Sequence, residues 1–260
     1  MKSLTFKYPL LMIAHSTFQE ARHSRVLHLA SFFAVLLILF SLFMGEVSLY
    51  QNEKVVKDIG LFSISFLGVF VAIFLGVNSL YKELEQRTIY SIMAKPITRS
   101  EILLGKYLGM ASVLFSVVLS MTGVLYLVTG FLESRIDLDL MPAIGLIYAE
   151  LLIVAAIAIF FSSFSSPFLS AFFSSGVFLV GRISRELADF GERSKNEIFK
   201  FFATGVQKVF DLEAFNLRTA VVHKFPVYVE DFWWPLLYAG LIVSLLLLVS
   251  QFVFIRRDFK

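Results

Sequence analysis

Long apolar runs alternate with short charged ones along this chain, and the runs have the length that a bilayer demands. A helix needs roughly 20 predominantly apolar residues to cross the hydrocarbon core. Six runs meet or approach that length: Leu27–Met44, Gly60–Leu80, Leu108–Phe131, Ala143–Phe161, Pro167–Gly181 and Trp234–Ile255. The fifth is short. Only "SSFSSP" separates the fourth from the fifth, which predicts a tight helical hairpin with Pro167 in the first turn of its second helix.

Two further segments have a helical period but only one apolar face. Leu11, Ala14, Phe18 and Ala21 recur at steps of three and four, with His15, Gln19, Arg22 and His23 on the other side. Residues 1–26 are therefore expected to hold an amphipathic N-terminal helix lying on a membrane face. In the second segment, Ser194 and Glu197 have the spacing of a capping box, and Ile198, Phe202, Val206 and Val209 follow as an apolar stripe. Trp233, Trp234 and Tyr238 then form an interfacial belt ahead of the sixth run.

Composition supports this picture. The chain of 260 residues is 58% hydrophobic, with mean hydropathy +0.79 and thirty phenylalanines, whereas soluble domains are about 45–50% apolar. It has no cysteine, so disulfides and thiolate metal sites are excluded, and its four histidines have no metal-binding spacing. A net charge of +3 is too small to point to nucleic acid. The distribution of charge is more informative. Lysine and arginine crowd the two termini and the segment between the second and third runs, while the loops after the first and third runs hold only Lys54, Lys57 and Arg135 against six acids. By the positive-inside rule both termini are expected in the cytoplasm, as an even number of spans requires. Residues 182–232 then lie outside, with the amphipathic stripe at the outer leaflet.

The segment 81–107 carries more than topology needs. It contains Glu83, Glu85 and Glu101 beside its cations, and Pro96 divides it. Proline breaks a helix and disfavours helix at the residue before it. Thr98 or Ser100 can cap a new short helix, "EILLGKYLG", leading into the third run. The expectation is a helix–turn–helix at the membrane surface, a docking element for a cytoplasmic partner.

"KELEQRTIYSIMAKPITRSEILLGKYLG" resembles the hallmark of permease subunits of type-2 ABC exporters: acids, a Thr-Ile pair, a P-[IL]-[ST]-R turn, and "GK" opening the next helix. The matching positions are Glu83, Glu85, Thr88, Ile89, Pro96, Ile97, Thr98, Arg99, Gly105 and Lys106. The resemblance implies one all-α membrane domain over residues 1–260, with six transmembrane helices, an amphipathic N-terminal helix and a cytoplasmic coupling helix. Its ATPase-coupling residues would be these matched positions together with Arg87 and Glu101. It implies a bacterial inner-membrane location, two copies of an ATPase subunit, and a second permease copy or a sister permease. A second segment, "FDLEAFNLRTAVV" (Phe210–Val222), resembles the P-N-L-x-x-F-N stretch of permeases for copper-enzyme maturation, with Phe210 and Asp211 standing where Pro and Asn would.

The sequence holds no GxxxxGK[ST] phosphate loop; its one "GK", Gly105-Lys106, is followed by tyrosine. ATP and magnesium are therefore expected on a separate chain and no cofactor on this one. A six-span scaffold or channel without an ATPase is the alternative function, and an intramembrane enzyme would need a nucleophile–base pair that the spans do not supply. Within the fourth run, Glu150 is costly in a membrane and reads two ways: satisfied by water or a buried Ser or Tyr, or part of a path for cargo or gating. Arg182 and Arg185 read as interfacial anchors that snorkel. Small residues recur every four positions at Gly68, Ala72 and Gly76, at Gly105 and Gly109, then at Ser112, Ser116 and Ser120, and at Ser166, Ser170 and Ser174. Such stripes let helix backbones approach closely, within one chain or between two. The membrane lipid itself is a further partner, with a lean toward amphiphilic cargo.

Overall fold

The computed structural model describes residues 9–47, 51–85, 98–133, 137–194 and 196–256. Ten α-helices occur in order among them: α1 (Pro9–Arg22), α2 (Arg25–Val47), α3 (Asn52–Glu85), α4 (Arg99–Glu133), α5 (Met141–Ser162), α6 (Pro167–Arg182), α7 (Ser184–Arg193), α8 (Glu197–Val209), α9 (Arg218–Val222) and α10 (Val229–Arg256). Short 3-10 turns at Leu138–Leu140 and Glu213–Phe215 precede α5 and α9. No strand occurs among the described residues. The chain is an all-α, multi-span membrane protein.

α5 lies at the centre and is the most buried span, packed against α3, α4, α6 and α10. Its inner faces are alanine-rich, so its neighbours come close: a Cβ on Gly76 of α3 would lie 2.4 Å from the Ala158 Cβ. The Gly68–Ala72–Gly76 stripe thus serves packing within the chain, against α5. Phenylalanines do the opposite. Phe32, Phe33, Phe40 and Phe43 on α2, and Phe168, Phe172 and Phe173 on α6, point outward, as lipid-facing side chains should. Buried hydroxyls satisfy themselves locally: Ser41, Ser63, Ser174 and Ser250 each donate to a carbonyl three or four residues back in their own helix.

Several boundaries differ from the sequence pattern. The second span does not begin at Gly60. α3 runs from Asn52, because "NEKVVKD" continues the helix through polar residues and Lys57 finds Asp137 at 2.5 Å. The short helix expected before the third span does not exist separately: nothing between Glu101 and Leu108 breaks the helix, and α4 is continuous over 35 residues. The sixth span begins at Val229 rather than Trp234, with Pro235 inside it.

The fifth span changes most. α6 has 16 residues, about 24 Å of helix, which is less than the roughly 30 Å hydrocarbon core. Ile183 then leaves the helical region (φ −101°, ψ 16°), and α7 departs at 60°. Five helices are long and apolar enough to cross a membrane, six if α6 and α7 count as one broken span. Beyond the break, α7 and α8 pack on each other where Gly191 meets Ala203. Asn196, not Ser194, caps α8: its side chain accepts from the Ile198 and Phe199 amides, while the Ser194 hydroxyl accepts from the Asn196 amide. Phe201 and Phe202 on α8 are exposed.

Candidate functional site

At one end of the bundle the start of α4 is held from several sides. The Thr98 hydroxyl accepts from the Glu101 amide at 3.3 Å, and the Glu101 carboxylate accepts from the Thr98 amide at 2.8 Å and its hydroxyl at 2.9 Å. That reciprocal pair is a capping box, and it places an acid at the positive end of the helix. Arg99 is the first residue of α4, one position past the cap. Glu83 and Glu85 lie in the last turn of α3. Arg87, Thr88, Ile89, Pro96 and Ile97 lie outside the described residues, so the turn at the proline does too.

Gly105 and Gly109 sit beneath α1. A Cβ on Gly105 would come 2.8 Å from the Ile13 Cβ, and one on Gly109 would come 2.6 Å from the Thr17 Cβ and 2.7 Å from the Ala14 carbonyl oxygen. The amphipathic N-terminal helix is therefore seated in a glycine notch of α4, not merely resting at a surface. Lys106 is only 4% exposed, and its ammonium donates to the Ser79 carbonyl of α3. Gln251 of α10 donates to the Ser100 hydroxyl. Four helices thus meet at the first two turns of α4. Ser79 and Gln251 carry no motif, and nothing in the spacing of the sequence marks them; Ser100, the alternative cap in the sequence pattern, receives Gln251 instead. Further along α4, Ser112, Ser116 and Ser120 face outward and bond only to their own helix.

Glu150 lies in a second polar cluster toward the other end. Its position in α5 is roughly 13 Å of helix rise from Met141, and it is 1% exposed. Arg182, at the tip of α6, donates to Glu150 Oε1 at 3.0 Å, and the Ser65 hydroxyl of α3 donates to Oε2 at 3.3 Å. Because α6 stops short, its last residue remains at this depth, and a guanidinium there needs a countercharge. Arg182 is thus an ion-pair partner and not the snorkelling anchor its position suggested. It also lies 3.5 Å from Glu213. Arg185 makes two 3.1 Å bonds to Asp211. Asp211, standing where the copper-maturation pattern has Asn, also accepts from the Ala214 amide in the 3-10 turn. Arg218 pairs with Asp58 at 2.9 Å and lies over the Phe62 ring. Between Glu150, Arg182, Arg218 and Ser65 remains a cavity of about 20 Å³, room for one water molecule.

Outside the spans, Asp137 ties the loop between α4 and α5 to α3. Partial burial pushes its carboxyl up, but the Lys57 ammonium and the Asp139 amide outweigh that and hold it below the usual carboxylate range.

A family model described as "ABC-2 family transporter protein" matches residues 11–196. No curated protein gives a significant match. The matched region takes in α1 to α7, both polar clusters' helical residues up to Arg185, and the whole segment 81–107. It ends before Phe210, so the resemblance to copper-maturation permeases stays outside it.

Proposed function

Because the chain belongs to the ABC-2 transporter family and is a multi-pass membrane permease of an ABC transporter, we propose that it is the transmembrane half of an ATP-driven exporter whose ATPase is a separate chain. Permeases of this family generally work with an ABC ATPase and form dimers. Two ATPases and two permeases, either two copies of this chain or this chain with a sister permease, make the working unit. Both termini and the segment 81–107 face the cytoplasm of a bacterial cell; the segment docks on the ATPase through Glu83, Glu85, Arg87, Thr88, Pro96, Thr98, Arg99 and Glu101, and Gly105 and Lys106 couple it to the bundle.

The observation that carries this reading is the joint at the start of α4. Force applied beside Arg99 enters a capped helix end that is bonded to α3 through Lys106, to α10 through Gln251 and to α1 through the glycine notch. A docking helix on that joint moves four helices together. Binding of ATP to the partner subunits supplies the energy, through its different affinity for their open and closed states.

The test is a mild-detergent pull-down of the tagged protein with mass spectrometry. A stoichiometric ATPase bearing a phosphate loop is expected, and Arg99→Glu or Glu85→Lys should release it while leaving membrane insertion intact. If no ATPase comes down in repeated experiments, the coupling reading fails and a six-span scaffold or channel takes its place.

A further inference from the structure

A second opening in the molecule has the size and chemistry of a ligand site. It lies between the 3-10 turn before α5, the loop after α9 and the first turn of α10, with a volume of about 460 Å³. Ligand clefts run to about 300–1,000 Å³ and are mostly apolar with a few placed polar groups. The walls here are Phe225, Tyr228, Phe232 and Trp233, and the charged groups are Lys224 and Asp139.

Several charges in this half of the protein are paired: Lys57 with Asp137, Arg182 with Glu150 and Glu213, Arg185 with Asp211, Arg218 with Asp58. Lys224 and Asp139 line one cleft with opposite charges, yet neither has an ion-pair partner among the described residues. Lys224 is also the one described non-glycine residue with positive φ, at 56°. That φ belongs to the end of α9, where the Phe225 amide donates to the Ala220 carbonyl and the Lys224 amide donates to the Val221 carbonyl in a Schellman cap. His223 stacks on Phe225 at 5.9 Å, so one aromatic wall is braced from behind.

The depth of the cleft narrows the ligand further. Below Trp233 the outward face of α10 is apolar, with Leu237, Leu241, Leu245 and Leu248 all exposed. Acyl chains lie along such a face, and a Trp–Tyr rim marks headgroup level. We infer that this cleft binds the zwitterionic amine headgroup of a phospholipid, its phosphate on Lys224 and its ammonium between Asp139 and the aromatic rings. A cation over aromatic faces gains from their quadrupoles, and a ligand carrying both signs satisfies both unpaired residues. An anionic headgroup leaves Asp139 unanswered. The inference deepens the permease reading by naming a headgroup class, and it assigns the lipid to this chain alone.

The protein has two tryptophans, Trp233 and Trp234, so Trp234→Phe leaves Trp233 as the reporter in the cleft wall. The variant is reconstituted in symmetric vesicles of phosphatidylglycerol, which has no amine headgroup, containing a minor fraction of either phosphatidylethanolamine or phosphatidylglycerol with bromine on the acyl chains of the minor lipid. Quenching of Trp233 should be at least about twofold stronger by the brominated ethanolamine lipid than by the glycerol lipid at equal fraction. Lys224→Glu and Asp139→Asn, both at exposed positions, should each erase that preference while leaving the emission maximum unchanged. Equal quenching by the two lipids, or a preference for the ethanolamine lipid that survives both substitutions, overturns the inference. Since no ATPase enters this assay and the vesicles are symmetric, its outcome is independent of the pull-down and of membrane orientation.

Discussion

Replacing Gly109 by alanine tests whether α1 is locked to the coupling end. The new Cβ would lie 2.6 Å from the Thr17 Cβ and 2.7 Å from the Ala14 carbonyl oxygen, and neither a Cβ nor a backbone carbonyl can rotate aside. α1 must shift as a whole. Overpacking of this kind costs about 1–3 kcal/mol, set against a helix-propensity gain for alanine of up to about 1 kcal/mol. Gly123 provides the control. It lies in the same helix, and nothing stands within 4 Å of a Cβ built there. Both substitutions carry the same propensity term, so their difference isolates the close approach. Gly109→Ala should be less stable than Gly123→Ala by about 1–3 kcal/mol in detergent thermal unfolding. Amide exchange should localise the loss to Pro9–Arg22, and stimulation of a co-purified ATPase should fall with it. Equal stability and unchanged exchange in α1 would refute the notch.

Other outcomes follow from the same contacts. Glu150→Leu alone strands Arg182, and Arg182→Leu alone strands Glu150; breaking a buried pair costs about 3–5 kcal/mol, and Glu213 should soften only the first. The double replacement should come out much nearer wild type than either single, which a double-mutant cycle in thermal unfolding would read. Thr98→Ala removes the hydroxyl that caps α4 and should cost about 1 kcal/mol, seen as faster amide exchange in the first turn of α4. Asp137 has a lowered carboxyl pKa, so its pairing with Lys57 contributes stability above the ordinary carboxylate pKa. That contribution is lost as pH falls through the lower folded value. Asp137→Asn should remove this part of the acid sensitivity, measured as the loss of a difference in unfolding midpoint between neutral and acid pH.

How far the sequence reveals this molecule depends on what each feature needs in order to be seen. Hydrophobic length is a local property, and the five long spans are legible from it. So is the proline at the head of α6, whose fixed φ suits a first turn. The break at Ile183 is not legible, because "RISREL" around it holds neither glycine nor proline. It follows from two distant facts: α6 is too short to cross, and Glu150 on another helix holds the arginine at its tip. The same applies to Arg182, whose position beside an apolar run reads as snorkelling until its partner is located. Small-residue stripes show where helices can approach, but not which helix does so. Gly105 and Gly109 turn to α1, Gly76 turns to Ala158, and Ser112 and Ser116 turn outward, although all repeat with the same period.

Gly105 and Lys106 carry the strongest lesson for function, since both belong to the matched motif and neither presents itself to a docking partner. Gly105 is covered by Ile13 and the Leu10 carbonyl, and Lys106 is spent on Ser79. A motif read as one surface therefore divides into two parts with different physics. Arg99, the first residue of α4 after its cap, is the position proposed to meet the partner. Gly105 and Lys106 instead join α4 to α1 and α3, so that under the proposed coupling a push received at Arg99 would become a movement of the bundle. The two parts should separate experimentally. Arg99→Glu should release the ATPase and leave the permease as stable as wild type. Lys106→Met should retain the ATPase in the pull-down yet abolish the response of transport to ATP. If Lys106→Met releases the ATPase as completely as Arg99→Glu, the division is wrong and the motif is a single docking surface.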